Sequence, residues 1–483
     1  MFELLNCPVQ DPVSKVAYIS FPGHNTCCIP GKLASAIRAV VQIRGAVPVV
    51  HGPVGCSWQR KLGTIIPGQV FYNVPCSNLL ESHVVFGGEG RLFDCVLRVF
   101  EVFCPDMIVI LTTCTSDMIG DDVETVVQKL KQKLKTPIIY STGNKAGKMK
   151  PVGSQDVFYS IVEQYVVENV RDFACLEKCV NIQVLGVHGV GEFDELINVL
   201  ERSGVKVVHQ YFQGTRVRDL LDMARVEMNI TPYRQLWCEY LRDKYGVKEY
   251  HLFRAEEADL DRAYPSGISG FWKVCLDIGR ALNVEGEIES ILRDLDRKYQ
   301  EHVDKLRREL SNIKIGVDSY GLGIALTLAR DFNIKVTHVI YYTKHMRAFG
   351  LSEKAIRDRL NNIVEIFRRY GSEPELIVDK TVDEACDIVR GKVDLMIVSK
   401  PYLCHRRGIR AVSSRLLGLK IRQHVTLGYE ATLKLGRMIL TFSKRDYLPR
   451  ASLYEFKLGE TYPGLPDYWD RIATTFLYNR LRI

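Results

Sequence analysis

The strongest constraint on the fold is one pattern met four times along the chain. A short apolar run enters a polar or glycine-bearing turn, a helical stretch follows, and a second apolar run closes the unit. In the first unit Pro105-Asp106 leads into MIVILTT (107–113), an unbroken apolar run of the kind found in strands buried on both faces. Helix DDVETVVQKLKQKLK (121–135) and strand TPIIYS (136–141) complete it. The second unit reads NIQVLGVHGVG, helix EFDELINVLERSG and strand VKVVHQYF, over 181–212. The third reads NIKIGVDSYGLG, helix IALTLARDF and strand IKVTHVIYY, over 312–342. In the fourth, VDLMIVSKPYLCH (393–405) precedes an expected helix RRGIRAVSSRLLG (406–418) and strand LKIRQHVTL (419–427). Strands alternating with helices in this way call for parallel sheets in doubly wound α/β domains.

Between the second and third units, from about Leu220 to Asn312, the chain reads as mostly helical. It ends in GEIESILRDLDRKYQEHVDKLRRELS (286–311), one long amphipathic helix. Boundaries near Asp172 and Ser311 follow. The expected architecture is three doubly wound parallel-sheet (Rossmann-like) α/β domains with an inserted helical segment. Residues 1–172 form the first domain, 173–311 a middle domain with a long helical extension, and 312–483 a third with a C-terminal tail. A length of 483 residues suits several domains. In open α/β sheets, ligands bind beyond the carboxyl ends of the strands. That directs attention to TTCTSDMIGDD, GVHGVGE, DSYGLG and SKPYLCH. Neither GVHGVG nor GLG completes a GxGxxG fingerprint, so their glycines read as tight strand-to-helix turns.

Composition narrows the function classes. The opening MFELLNCPVQDPVSK lacks the basic patch and apolar stretch of a signal peptide. No segment reaches the roughly 18 uninterrupted apolar residues of a membrane span. A cytoplasmic protein with no membrane partner is expected. The formal charge of +8, from 65 basic and 57 acidic residues, is spread through runs such as Arg293, Asp294, Asp296, Arg297 and Lys298. So diffuse an excess argues against nucleic-acid binding and suits docking to an acidic protein.

The chain has 14 cysteines. In a reducing compartment each is a small buried hydrophobe or a metal ligand. Cys95, Cys104, Cys179, Cys275 and Cys386 sit in amphipathic or apolar surroundings and read as core. No CxxC pair occurs, so any cluster must gather cysteines distant in sequence. Three stand in loops instead. Cys114 follows MIVILTT and precedes a helix. Cys56 follows AVPVVHG in HGPVGCSW. Cys28 sits in GHNTCCIPG, just before a helix near Lys32. A thiolate near a helix N-terminus is stabilised by the dipole and by unpaired N–H groups, which can also hydrogen-bond cluster sulfides. Neighbouring glycines let backbone approach a bulky cluster.

VVHGPVGC, HVVFGGEGRL and PDMIVILTTCTSDMIGDDVETV, in that order, resemble the nitrogenase component 1 superfamily. That superfamily holds the molybdenum–iron protein alpha and beta chains, their cofactor-assembly homologues and nitrogenase-like reductases. The likeness is clearest over 20–125. It continues through NIQVLGVHGVGEFDELINVLERSGVKVV, ARVEMNI and DLMIVSKPYLCHRRGIRAVSSRLLGLKIRQH. It implies that Cys56 and Cys114 match the second and third cluster cysteines. Cys28 matches the first, with Cys27 as a second candidate. Three cysteines do not complete a [4Fe-4S] or [8Fe-7S] cluster. The resemblance therefore implies a homologous sister subunit sharing the cluster in a hetero- or homo-oligomer of α2β2 type. It also implies an ATP-hydrolysing iron protein as electron donor.

The resemblance breaks after ARVEMNI. An alpha chain carries its cofactor cysteine shortly after that segment, and here Thr231-Pro232-Tyr233-Arg234 follow. Cys238, a few residues later in QLWCEYLRDKYG, reads as one face of a helix. His424, in LKIRQHVTL, matches the cofactor histidine position. Cys404, His405 and Arg406, at a strand's carboxyl end, read as an exposed set suited to a cofactor or an anion. The expected function is an iron–sulfur subunit of a nitrogenase-like reductase that relays electrons to a substrate or to a second iron-containing metallocluster. A beta-like partner of a catalytic alpha chain and a non-catalytic scaffold for metallocluster maturation are the alternatives.

Overall fold

The computed structural model describes residues 32–57, 74–142, 153–170, 176–183, 193–212, 214–253, 265–344, 347, 352–414, 417 and 427–444. Cys27, Cys28, His424 and the GVHGVG turn lie outside the described residues. The chain forms two compact units, His24–Val187 with Val205–His251, and Met1–Gly23, His188–Gly204 and Leu252–Ile483.

The unit containing His51 begins with α1 (Lys32–Val41), β1 (Ile43–Arg44) and β2 (Ala46–His51). α2 (Glu81–Phe86), α3 (Glu89–Phe103), β3 (Met107–Thr112), α4 (Cys114–Ile119), α5 (Val123–Lys133), β4 (Ile138–Ser141) and α6 (Ser154–Ile161) follow. Strands β2, β3 and β4 form a parallel sheet in that order. Every residue of β3 is buried. Met107, Val109 and Leu111 share one core with Ile37 and Val40 of α1 and Val157 and Ile161 of α6. Ile108 and Ile110 share another with Leu92 and Val96 of α3 and Val126 and Leu130 of α5. The 107–113 run is unbroken because both faces of its strand are dry. Helix α5 starts where Asp122 accepts the Thr125 N–H, and it carries Lys131 and Lys133 in its last turn, matching the helix dipole.

The same unit holds a second sheet. β5 (Leu176–Gln183), β6 (Lys206–Tyr211), β7 (Thr215–Arg216), β8 (Val226–Thr231), α7 (Leu236–Tyr245) and β9 (Lys248–His251) build it. Its parallel order is β6-β5-β8-β9, while β7 pairs with β1. Among its described residues the 220–312 segment is mostly helical, as expected, but β8 and β9 lie inside it and were not expected. β8 carries buried Asn229, whose side chain donates to Met223 O (2.8 Å) and accepts from Asn181 Nδ2 (3.1 Å). A polar residue at the centre of a buried strand hides the strand's pattern. Its partner on β5 makes it tolerable.

The other unit comprises helix Asp194–Arg202, α8 (Gly267–Ala281), α9 (Glu285–Leu310), β10 (Lys314–Asp318), α10 (Leu322–Phe332) and β11 (Lys335–Tyr341). It continues with α11 (Glu353–Arg369), β12 (Glu375–Val378), α12 (Val382–Val389), β13 (Leu395–Val398), α13 (Pro401–Arg406), β14 (Ala411–Ser413) and α14 (Tyr429–Lys444). Its parallel sheet runs β12-β11-β10-β13-β14, so the strand order reverses between β10 and β13. Ile315, Val317, Val339 and Ile397 face one core, and Ile340, Met396 and Val398 face the other. The long helix expected at 286–311 is α9, buried along Ile288, Ile291, Leu292, Val303, Leu306 and Leu310. The helix expected at 406–418 is corrected. α13 ends at Arg406, Gly408 turns the chain with φ +73°, and Ala411–Ser413 joins the sheet edge beside β13. A backbone at positive φ stops a helix, and β-branched Val412 then packs as strand. The fold is thus α/β, with parallel sheets in doubly wound, Rossmann-like layers. Among the described residues no helix is long and apolar enough to cross a membrane.

Candidate functional site

The site grows from the carboxyl ends of β2 and β3. Their register sets His51 opposite Thr112, so the loops that follow, HGPVGC and TCTSDM, leave the sheet side by side. Thr113 caps α4, with its hydroxyl 3.4 Å from the Ser116 N–H, and that hydroxyl donates to His51 O (3.0 Å). The Ser116 hydroxyl donates to the same carbonyl (2.9 Å). A Cβ at Gly52 would lie 2.4 Å from Thr113 Oγ1, so only glycine permits this approach.

A buried polar clasp lies behind these loops. The Gly52 N–H donates to Ser77 Oγ (3.1 Å), which leaves the Ser77 hydroxyl to donate to His51 Nδ1 (2.9 Å). His51 Nε2–H then donates to Asp121 Oδ2 (2.8 Å), and Asp121 Oδ1 accepts the Gly88 N–H (2.8 Å). His51 is fully buried, and that burial lowers its pKa despite the opposing pull of Asp121. The imidazole is therefore neutral at neutral pH, with its proton on Nε2. Next to it, Glu89 Oε1 accepts the Asp122 N–H (3.0 Å). Gly88 is required by space, since a Cβ there would meet Leu79 at 2.4 Å and Asp121 at 2.6 Å. The three motifs HGPVGC, VFGGEG and IGDD, separate in sequence, are one hydrogen-bonded unit. With every donor matched and no reactive group exposed, the clasp positions loops and does not itself do chemistry.

Cys56 and Cys114 emerge from the loops this clasp holds. Cys56 is half-buried, in a helical stretch that begins at Val54, and its N–H donates to Pro53 O (3.0 Å). Cys114 is exposed and opens α4. Sequence reasoning passed over Cys76. Its thiol donates to Gly52 O (3.1 Å), its sulfur accepts the Asn78 N–H (3.4 Å), and its backbone bridges Val50. Its signal was weak, since NVPCSN lacks both an apolar run and a helix start. Beyond Cys76 a cleft of about 540 Å³ opens between 74–77 and α3, lined in part by Arg91, Asp94, Cys95 and Arg98. Burial pushes the Cys95 thiol up to about 11, which keeps it protonated and a poor ligand. Ser77, His51 and Asp121 were also missed as functional residues. Their signal lay inside the motifs, as polar residues among the glycines.

Of the cysteines read as core, Cys179, Cys275 and Cys386 are buried, Cys95 is half-buried and Cys104 is exposed. Cys104 caps α3 in a left-handed conformation, which turns it out of the core. Cys238 lies on α7, wholly buried, and that burial raises its pKa well above the ordinary thiol value. Cys404, expected to be exposed, is buried against Cys386, because the short α13 turns its inner face to α12. His405 Nε2 donates to Ala411 O (2.9 Å), and burial lowers its pKa. Arg406 closes α13. Among the described residues no three His, Cys, Asp or Glu side chains gather as a metal site.

The rim of the cysteine loops is apolar. Phe86 (88% exposed) and Val85 (74%) lie on α2 with exposed Leu80 at its start, α2 packs on α4, which carries exposed Met118, and Val54 beside Cys56 is exposed as well. Exposed apolar side chains grouped in this way mark a contact surface.

Comparison with known proteins bears on this arrangement. The family described as nitrogenase component 1 type oxidoreductase matches residues 32–443. A light-independent protochlorophyllide reductase chain of Heliobacterium modesticaldum is 26% identical over 223 residues, covering 44% of this chain and 42% of that protein, less than half its length. The nitrogenase iron-molybdenum cofactor biosynthesis protein NifE of Rippkaea orientalis is 23% identical over 83% of this chain and 81% of its own. The nitrogenase molybdenum-iron protein alpha chain of Methanothermobacter thermautotrophicus is 23% identical over 91% and 93%. Among solved structures, nitrogenase Cp1 at pH 6.5 superposes with a TM-score of 0.61 at 15% identity, over 85% of this chain and 91% of that one, a likeness of fold.

Proposed function

Because the chain belongs to the family of nitrogenase component 1 type oxidoreductases, we propose that it is an iron–sulfur subunit of a nitrogenase-like, ATP-dependent reductase. Cys56 and Cys114 hold the cluster, with Cys28 as the third ligand of this chain. The observation that carries the reading is the His51–Ser77–Asp121–Gly88 clasp. It is buried, fully hydrogen-bonded, and spent on keeping two cysteine-bearing loops side by side at one sheet edge. Such rigid support is what ligands of a bulky cluster need, because loose ligands lower affinity and blur the potential.

The donor set fits half of a cluster site. Two thiols stand at the edge, one exposed and one half-buried, and the described residues add no third ligand to them. The rest must come from Cys28 and from a homologous sister subunit, for which the apolar rim of Val54, Leu80, Val85, Phe86 and Met118 is the docking surface. When bound, the cluster supplies one-electron storage between an ATP-hydrolysing iron protein and the final acceptor. The chain's own part is to fix the loops, exclude water with the rim, and keep His51 neutral beside the site.

A second reading, a scaffold on which a metallocluster matures, is favoured by one local fact. Where an alpha chain would carry its cofactor cysteine, the Thr231 hydroxyl donates to Tyr233 O (2.9 Å) and bonds His251 Nδ1 (2.7 Å), and the nearby Cys238 is buried in α7. The likeness to NifE is compatible with it.

The test is anaerobic co-purification with the sister subunit, followed by iron and sulfide analysis and visible spectroscopy. Cys56→Ala and Cys114→Ala are each expected to lose the cluster's absorbance and iron. Retention of both would overturn the ligand assignment. Turnover without ATP or a separate reductase would overturn the relay reading. Iron bound but turned over on no substrate, and released to a recipient protein, would select the scaffold.

A further inference from the structure

Two cysteines outside the proposed cluster site touch one another. Cys386 lies on α12 and Cys404 on α13, with Sγ atoms 3.6 Å apart and both residues wholly buried. The two helices pack together, and the sulfurs sit in an apolar pocket formed with Val382, Ala385, Val398 and Ile409. The hydrogen bond between the thiols lowers the Cys386 pKa and raises that of Cys404. Burial and the Asp383 carboxylate oppose that lowering on Cys386, and the Arg407 guanidinium, which pairs with Asp383 and Asp387 of α12, adds only a smaller downward pull.

From this geometry we infer that Cys386 and Cys404 are a reversible dithiol–disulfide site, oxidised by hydrogen peroxide. The sulfurs need to close by only about 1.5 Å to reach the roughly 2.05 Å of a disulfide, a movement within reach of side-chain rotation. Complete burial keeps out bulky disulfide oxidants, whereas a peroxide is little larger than water. α13 is six residues long and ends at the Gly408 turn, so a local opening suffices to admit it.

The chemistry balances without a further reagent. The Cys386 sulfur attacks one peroxide oxygen, the O–O bond breaks, and the departing hydroxide takes up the thiol proton as water, leaving a sulfenic acid. The Cys404 sulfur then attacks the Cys386 sulfur. The S–O bond breaks and a second water leaves with the Cys404 proton. Two thiols and one peroxide yield one disulfide and two waters, and a dithiol reductant reverses the change.

The bond has a defined structural target. α13 follows Ser399 and Lys400, and the Ser399 N–H donates to the buried Asp318 carboxyl (2.6 Å) across the point where strand order reverses between β10 and β13. Cross-linking α12 to α13 pins this loop at the sheet edge where α/β folds place ligands. The device is a latch on the strand-to-helix loop after β13, closed by peroxide.

The experiment uses the full chain, purified anaerobically, treated with hydrogen peroxide, then denatured, alkylated and digested. Trypsin can cut after Arg390, Lys392 and Arg406, so a bond between the cysteines joins two peptides. The expected result is that linked pair, about 2 mass units below the sum of its thiol forms and absent after dithiothreitol. Amide exchange across 399–407 should slow at least about fivefold in the oxidised protein. In Cys404→Ala, a dimedone-trapped sulfenic acid should appear on Cys386. The inference is overturned if both cysteines stay alkylatable at a peroxide dose that oxidises the exposed Cys104. It is equally overturned if they pass to sulfinic acid unlinked, or link only after denaturation. The wild-type linkage measurement decides the matter even if the variant fails to fold.

Discussion

Replacing Asp121 tests the clasp most directly. Its two carboxyl oxygens accept His51 Nε2–H and Gly88 N–H, each at 2.8 Å, and its side chain is 3% exposed. Asp121→Ala strands two buried donors. At about 1–3 kcal/mol for each unsatisfied buried group, the cost is roughly 4 kcal/mol. Asp121→Asn keeps the shape. Its carbonyl can still accept from Gly88 while its amide faces His51. The imidazole can meet that amide by moving its proton to Nδ1, where Ser77 Oγ accepts. That rearrangement should cost about 1 kcal/mol. Hydrogen exchange is the suitable assay, because it reads local opening of the two loops without assuming that a multi-domain chain unfolds in one step. At about 1.4 kcal/mol per tenfold change, exchange at the Gly52 and Gly88 amides should accelerate several-hundredfold in Asp121→Ala and about fivefold in Asp121→Asn. If the two variants behave alike, or if Asp121→Ala accelerates exchange less than about tenfold, the clasp does not hold the loops as argued.

Other perturbations are expected to act in separable ways. Gly88→Ala drives a methyl to within 2.4 Å of Leu79 and 2.6 Å of Asp121, and should destabilise the loops by about 2 kcal/mol, read by the same exchange measurement. Phe86→Asp places a charge on a side chain that is 88% exposed, so folding should be unaffected, while association with the sister subunit proposed above should be lost in sedimentation analysis. Glu195 is raised to about 7 by burial, against the hydrogen bond it accepts from the Glu430 N–H (3.2 Å). A carboxyl whose folded pKa is raised binds more protons folded than unfolded between pH 4.5 and 7, so its contribution is full below 4.5 and lost as pH rises through 7. Glu195→Gln should therefore raise the melting temperature by a few degrees at pH 8 and leave it nearly unchanged at pH 4.5; the reverse order would refute the assignment.

Legibility in the sequence followed the physics of burial. MIVILTT could be read as a strand because both faces of β3 are apolar, and the 26 residues of α9 because one stripe repeats at helical spacing. β8 could not, since Glu227 and Asn229 interrupt it and Asn229 is acceptable only through its bonds to Asn181 and Met223. β14 failed for another reason. Three residues are too few to show a period, and 406–418 carries enough spaced apolar residues to resemble a helix until Gly408 breaks it. Cys404 illustrates the limit for side chains, because its place after a strand is a local fact while its direction depends on Cys386 and the packing of α12.

By itself the sequence determined the α/β class, the strand-end loops and the family, because alternation, apolar runs and motif order are properties of neighbours along the chain. It also put Cys56 and Cys114 just past strand ends, in stretches read as loops, where the structure has each in the opening turn of a helix. Only the tertiary structure decided that those loops are adjacent, through the pairing of β2 with β3, and that HGPVGC, VFGGEG and IGDD are parts of one clasp. Hydrogen bonds such as His51 to Asp121 join residues 70 positions apart. Their partners are chosen by strand order and register, and neither is written in any local stretch of sequence.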